Sequence, residues 1–216
     1  MNTLKLKVCG MRLAANIAAV AELKPDYLGF IFFEKSPRLI SSVSAELIKY
    51  IPSEIKTVGV FVDEDLAVLI EKVKLYQLNA VQLHGQEGPE YCLELKNNFG
   101  NLEVIKAFGM DETFNFCMLD DYENVVDFFL FDTKTKLHGG SGKTFDWKIL
   151  EQYNLQKRYF LSGGIDLAHA EDILTINDSR LYALDINSKF ELEPGLKHVE
   201  KIKAFQDIIG SNQATQ

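Results

Sequence analysis

A cysteine and an aspartate, far apart in the chain, each close a hydrophobic run at the start of a turn-rich loop. Cys9 ends Lys5-Leu6-Lys7-Val8-Cys9-Gly10, and Asp132 ends Phe128-Phe129-Leu130-Phe131-Asp132-Thr133. Side chains alternate faces along a strand, so Lys5, Lys7 and Cys9 share one face while Leu4, Leu6 and Val8 share the other. An ammonium near a thiol favours the thiolate, and such a cysteine can serve as a general base. A buried structural cysteine is the plainer alternative. An aspartate at the end of an aromatic strand is rarely buried without a partner, so it either carries chemistry or caps a helix or loop. If the runs close into one parallel barrel, both side chains reach the rim where such barrels do chemistry.

The elements that must position them are legible as an alternation of short apolar runs and longer amphipathic segments. Strands are expected at 4–9, 26–32, 55–62, 79–83, 102–107, 127–132, 158–162 and 181–186. Helices are expected at 13–23, 43–50, 64–75, 89–98, 166–175 and 196–209, with a weaker one at 111–119 and a short one at 145–152. Asp63, Asp111 and Asp166 stand where helix caps are expected. Strands alternating with helices make right-handed βαβ units and a parallel sheet. Eight such units in 216 residues predict an α/β fold, a single-domain (β/α)8 TIM barrel over 1–210 with a polar tail at 211–216. An open doubly wound sheet would carry a glycine fingerprint after its first strand, and Cys9-Gly10-Met11-Arg12 is not one.

Composition narrows the partners. The chain is 47% hydrophobic with a net charge of −8, so its bulk field favours neither nucleic acid nor anionic membrane. It has no apolar run long enough to span a bilayer and no signal-peptide pattern at Met1-Asn2-Thr3. Its three widely spaced cysteines fit free thiols in the cytoplasm. The four histidines are scattered, without a carboxylate cluster, so no metal and no other cofactor is expected. Cys92 and Cys117 fall in helical segments and read as packing residues.

An acidic protein must hold an anion with local devices. Leu161-Ser162-Gly163-Gly164 ends strand seven and Asp185-Ile186-Asn187-Ser188 ends strand eight. Their small residues expose backbone N–H groups, and loops after strands seven and eight recur as phosphate sites in barrels. Ser162, Gly163, Gly164, Asn187 and Ser188 are therefore phosphate-binding candidates, with a pair of tight turns as the alternative. Arg38, in Ser36-Pro37-Arg38, offers a guanidinium able to bind a carboxylate bidentately. Gln82 and His84 alternate with Val81 and Leu83, so both can face the barrel. The segment 133–144 carries three glycines within Gly139-Gly140-Ser141-Gly142 and is expected to act as a lid. Leu137 stands where an NTP-binding phosphate loop needs glycine.

The segments Lys7-Val8-Cys9-Gly10-Met11, Lys35-Ser36-Pro37-Arg38, Val81-Gln82-Leu83-His84-Gly85, Phe131-Asp132-Thr133, Gly139-Gly140-Ser141-Gly142-Lys143-Thr144-Phe145-Asp146-Trp147 and Leu161-Ser162-Gly163-Gly164 occur in this order. Together they closely resemble the phosphoribosylanthranilate isomerase family of tryptophan biosynthesis. The resemblance runs from strand one to strand eight. It implies a barrel of the ribulose-phosphate-binding type that performs an Amadori rearrangement of N-(5-phosphoribosyl)anthranilate. It further implies Asp132 as the general acid at the ribose ring oxygen and Cys9 as the base at C2. Arg38 would meet the anthranilate carboxylate, His84 and Asp185 would line the pocket, and the two small-residue loops would hold phosphate. Catalysis in this form requires Cys9 to lose its proton more readily than an ordinary thiol. At the loop after strand eight the chain departs from the family's Ser-Ser-Gly turn and reads Asn187-Ser188-Lys189, where lysine adopts left-handed geometry less readily than glycine. A small phosphosugar substrate and a monomer or homodimer are expected. Two rival functions are a related aldose–ketose phosphosugar isomerase and a barrel that binds a phospho-ligand without catalysis.

Overall fold

The computed structural model describes residues 4–40, 44–48, 50–133 and 146–211. All eight expected strands are present: β1 (Lys5–Val8), β2 (Tyr27–Ile31), β3 (Lys56–Phe61), β4 (Ala80–Leu83), β5 (Glu103–Met110), β6 (Phe128–Thr133), β7 (Tyr159–Leu161) and β8 (Leu181–Ile186). Each pairs in parallel with the next, and β8 pairs with β1 to close the barrel. The outer layer includes α1 (Ala14–Ala21), α2 (Ser44–Ile48), α3 (Leu66–Tyr76), α4 (Pro89–Asn98), α5 (Ala170–Leu174) and α6 (Val199–Ser211). Among the described residues no helix is long and apolar enough to cross a membrane.

Alternation along the strands divides the core in two. Inside the barrel pack Tyr27, Val58, Ala80, Ile105, Ala107, Phe128, Leu130, Phe160 and Ala183. Their neighbours in sequence, such as Val81, Phe129, Phe131, Leu161 and Leu184, pack outward under the helices. The inward parity continues upward: Ala80 leads to Gln82 and His84, Leu130 to Asp132, Phe160 to Ser162, and Ala183 to Asp185. Polar residues at the ends of the strands thus occupy the same face as the inner apolar core, stacked above it.

Several helical expectations are corrected. Segment 111–119 forms no α-helix, because Asp111 accepts hydrogen bonds from the Thr113 N–H at 2.9 Å and the Thr113 hydroxyl at 2.7 Å, which closes a turn instead. A 3₁₀ helix follows at Phe116–Tyr122, capped by Asn115. The expected helix at 145–152 is a 3₁₀ helix, Trp147–Gln152, capped by Asp146. Asp166 does cap the segment after β7, which begins as 3₁₀ before becoming α5. The cap of α3 is Asp65 rather than Asp63, with Asp65 accepting from the Ala67 and Val68 N–H groups. The segment 196–209 is not helical throughout. Its first residues form β10 (Leu196–Lys197), antiparallel to β9 (Glu191–Glu193), and Gly195 turns the hairpin at φ +86°. Residue 211 belongs to α6, and the rest of the expected tail lies outside the described residues.

A buried charge pair braces the loop that leaves β4. Lys106 donates to the Leu83 and Gly85 carbonyls and to Glu87 Oε2 at 3.0 Å, with both side chains almost wholly enclosed. Glu87 also accepts the Gly85 and Asp63 N–H groups. Replacing Glu87 by Ala strands the ammonium without a counter-charge and is expected to cost about 3–5 kcal/mol. Denaturant unfolding measures it; an unchanged midpoint would contradict the brace.

Candidate active site

Three rim residues are each fixed by a hydrogen bond that carries the strand ladder past the strand's end, while Asp132 and Asp185 lie within β6 and β8. The Cys9 N–H donates to Ile186 O at 2.9 Å, the His84 N–H to Phe61 O at 2.9 Å, and the Ser162 N–H to Phe131 O at 2.8 Å. Gly29 on β2 makes room for the thiol, since a Cβ there would lie 2.9 Å from Cys9 Sγ. The side chains meet in one cavity of about 750 Å³. Cys9 and Asp132 line it, as do Arg38, His84 and Asp185, and so do Ser162, Gly163, Gly164, Asn187 and Ser188. All ten residues singled out in the sequence therefore share one space.

The floor of the cavity is a chain of polar contacts across the barrel. Lys7 is fully buried and donates from Nζ to Asp185 Oδ2 and to Gln82 Oε1, both at 2.6 Å. Gln82 Nε2 lies 2.8 Å from His84 Nδ1, and His84 Nε2 lies 3.3 Å from Asp132 Oδ2. The other Asp132 oxygen accepts the Thr133 N–H at 2.9 Å. Asp185, which lines the cavity, keeps its Oδ1 buried with no hydrogen bond among the described residues. Such a group is costly unless a ligand donates to it.

The electrostatics correct one expectation. Burial raises the Cys9 thiol above its ordinary range; the ammonium of Lys7 pulls in the opposite direction and does not prevail. The sequence showed the lysine but not the full enclosure of the sulfur. Burial alone would lower Lys7, but the Asp185 carboxylate that it bonds outweighs this and holds the ammonium above its usual value. Cys9 therefore carries its proton at neutral pH beside the Lys7 ammonium.

Arg38 enters the cavity from the loop after β2, already engaged. Its Nε and Nη2 grip Glu191 at 2.6–3.0 Å. Glu191 is held in turn by Lys197 at 2.7 Å, and Lys197 also reaches Asn187 Oδ1 at 2.7 Å. Sequence reasoning missed Glu191 and Lys197, because a helical pattern absorbed the second. Pro194-Gly195 between two short extended stretches is the signal that marks their hairpin.

The two small-residue loops lie side by side. Gly163 and Gly164 have φ +90° and +68°, and a Cβ on Gly163 would overlap the backbone nitrogen and hydroxyl of Thr133. Gly163→Ala is expected to destabilise the fold by about 1–3 kcal/mol and to weaken binding of phosphate-bearing ligands; equal Tm and equal affinity would contradict this. At the next loop Ser188–Phe190 forms a 3₁₀ turn, so Lys189 avoids the left-handed region altogether. Lys201 ties the two loops by donating to Lys189 O and pairing with Asp166, both at 2.7 Å. The glycine-rich segment expected as a lid lies, from 134 to 145, outside the described residues.

A closed (β/α)8 barrel with opposed thiol and carboxyl groups at its C-terminal rim, beside two backbone-rich loops, defines an α/β-barrel enzyme acting on a small anionic ligand. Residues 6–207 match the family model of N-(5'-phosphoribosyl)anthranilate isomerase, and the chain belongs to that family. A curated relative of that name from Parabacteroides distasonis is 42% identical over 202 residues, covering 93% of this chain and 90% of that protein. Another from Phocaeicola vulgatus is 38% identical over 200 residues, covering 93% and 95%. The crystal structure of phosphoribosyl anthranilate isomerase from Thermus thermophilus superposes with a TM-score of 0.85 at 27% identity, over 97% of this chain and 100% of that one. A phosphoribosyl anthranilate isomerase in complex with reduced 1-(o-carboxyphenylamino)-1-deoxyribulose 5-phosphate superposes with a TM-score of 0.80 at 29% identity, over 96% and 99%.

Proposed function

We propose that this protein converts N-(5-phospho-β-D-ribosyl)anthranilate into 1-(2-carboxyphenylamino)-1-deoxy-D-ribulose 5-phosphate, a step of tryptophan biosynthesis, with Asp132 as general acid and Cys9 as general base. The observation that carries this reading is the placing of Cys9, at the end of β1, and Asp132, on β6, in one cavity that Asp185 also lines. Asp132 donates its proton to the ribose ring oxygen. The C1–O bond breaks, and the nitrogen lone pair closes a C1=N bond. Cys9 takes the proton from C2, and the electron pair left behind makes the enolamine. That species gains a proton at C1 and loses the one on its C2 hydroxyl, which yields the ketose.

The remaining residues bind. Asp185 accepts from a sugar hydroxyl, and His84 stands beside the acid. Arg38 takes the ring carboxylate through Nη1, which donates to no described residue, and Nη2. The Ser162 hydroxyl and the backbone N–H groups of Gly163, Gly164, Asn187 and Ser188 hold the phosphate, and Lys189 at the cavity wall adds a positive charge. The protein acts in the cytoplasm, a reading supported by three cysteines without a disulfide. It works on this phosphosugar as a monomer or homodimer. No cofactor, metal, nucleic acid or membrane enters the reading.

The test is a fluorescence assay of freshly prepared phosphoribosylanthranilate. Loss of substrate fluorescence with enzyme-dependent turnover is expected. Turnover of the histidine-pathway aminoaldose in its place would move the function to that neighbour, and binding of both without conversion would make the barrel non-catalytic.

A further inference from the structure

The hairpin after strand eight carries two buried charged residues, Glu191 and Lys197, to which the proposed reaction gives no role. Glu191 Oε2 accepts from Arg38 Nε at 3.0 Å and Nη2 at 2.6 Å, while Oε1 accepts from Nε at 2.9 Å, from Lys197 Nζ at 2.7 Å and from the Gly195 N–H at 3.1 Å. The Arg38, Glu191 and Lys197 side chains are 12%, 4% and 0% exposed. Lys197 is fixed from its backbone as well, since Asn16 on α1 donates to its carbonyl and accepts from its N–H at 2.9 and 2.7 Å. Gly10 packs into the same assembly: a Cβ there would lie 2.8 Å from Arg38 Cδ and 2.7 Å from Asn187 Oδ1.

Two features of this assembly point to a ligand. Two basic side chains, Arg38 and Lys197, converge on one carboxylate, whose charge opposes the burial that lowers Lys197. In a protein of net charge −8, that is a local device for an anion. The second feature is orientation. Glu191 occupies the Nε/Nη2 edge of the guanidinium, which fixes the plane of the group and leaves the Nη1/Nη2 edge, whose two donors match a carboxylate fork. Lys197 then connects that arginine to Asn187, in the loop assigned to phosphate.

We infer that Glu191 is a positioning residue for carboxylate recognition: it holds Arg38 in the orientation that selects an aromatic amine bearing an ortho carboxylate, and Lys197 couples this clamp to the phosphate loop. The inference rests on the proposed reaction and adds to it the residues that set its specificity. Glu191 does not touch substrate. Its removal therefore acts on the carboxylate end alone, while loss of Lys197 acts on both ends.

The experiment compares phosphoribosylanthranilate with phosphoribosylaniline, which lacks the carboxylate, in wild type, Glu191→Gln, Glu191→Asp and Lys197→Met. Glu191→Gln is expected to raise KM for the anthranilate by about 10- to 100-fold, with kcat and the aniline KM unchanged. Glu191→Asp keeps the charge and is expected to fall between Gln and wild type. Lys197→Met is expected to raise KM for both substrates, and more for the anthranilate, because it loosens the phosphate loop and the carboxylate clamp together. If Glu191→Gln does not fold, the substrate ratio of Glu191→Asp decides. A ratio equal to wild type in the folded Glu191 variants, or a wild type that does not distinguish the two substrates, would overturn the inference. Absence of wild-type turnover on either substrate would instead overturn the proposed reaction.

Discussion

Asp132→Asn is expected to lower kcat by about 10²–10⁴-fold, the usual contribution of a general acid, with little change in affinity for the reduced product analogue. Asparagine keeps the shape and the acceptor that binds the Thr133 N–H at 2.9 Å. It lacks a transferable proton for the ring oxygen. A purely structural aspartate would behave in the opposite way, because loss of its 3.3 Å contact with His84 would appear in Tm and leave turnover intact. Steady-state rates and thermal melts on the same preparation separate the two. A variant that melts lower but turns over at the wild-type rate would remove Asp132 from the chemistry.

Cys9→Ala is expected to produce a loss of the same order, about 10²–10⁴-fold in kcat, and the wild type carries a pH signature of this thiol. Burial raises Cys9, so the thiolate is scarce at neutral pH and grows as pH rises through the alkaline range. The sign is the same for rate and labelling: both kcat/KM and the rate of iodoacetamide labelling at Cys9 are expected to climb beyond the pH at which an ordinary thiol is half ionised. Stability follows the opposite course. A folded-state value above the unfolded one means that the native state holds its proton longer, so this contribution is complete below the ordinary thiol value. It is lost as pH rises from there through the folded value. Peptide mass mapping distinguishes Cys9 from Cys117, which is exposed, and from Cys92, which burial pushes up to about 11. A labelling profile that plateaus near neutrality would contradict the enclosure of Cys9.

The barrel was legible because its signal is local. Period-two alternation in runs such as Phe128–Asp132 names both the strand and the face, and the same parity carries Gln82, His84, Asp132, Ser162 and Asp185 onto the rim above the inner core. What could not be read depends on distant partners. Whether Lys7 or burial wins at Cys9 is a competition between a neighbour two residues away and a shell drawn from the whole barrel. Arg38 looked like an open clamp because Glu191, 153 positions further on, is invisible in its local context. The hairpin of Glu191 and Lys197 was hidden by a helical pattern that properly begins at Val199. Asp63 was read as a cap, yet its positive φ of 50° suits the turn that meets Gln86, and Asp65 two residues later holds the helix.

The central claim is that Cys9 and Asp132 act as base and acid on one sugar, and cleavage of the bond at ribose C2 tests it most directly. Substrate deuterated at C2 is mixed with wild type, Cys9→Ser and Asp132→Asn, and release of the label to solvent is followed by mass spectrometry. The account predicts label release by the wild type with a primary isotope effect on the step, and release slowed by about 10²–10⁴-fold in both variants. Label release by Cys9→Ser at the wild-type rate would contradict it.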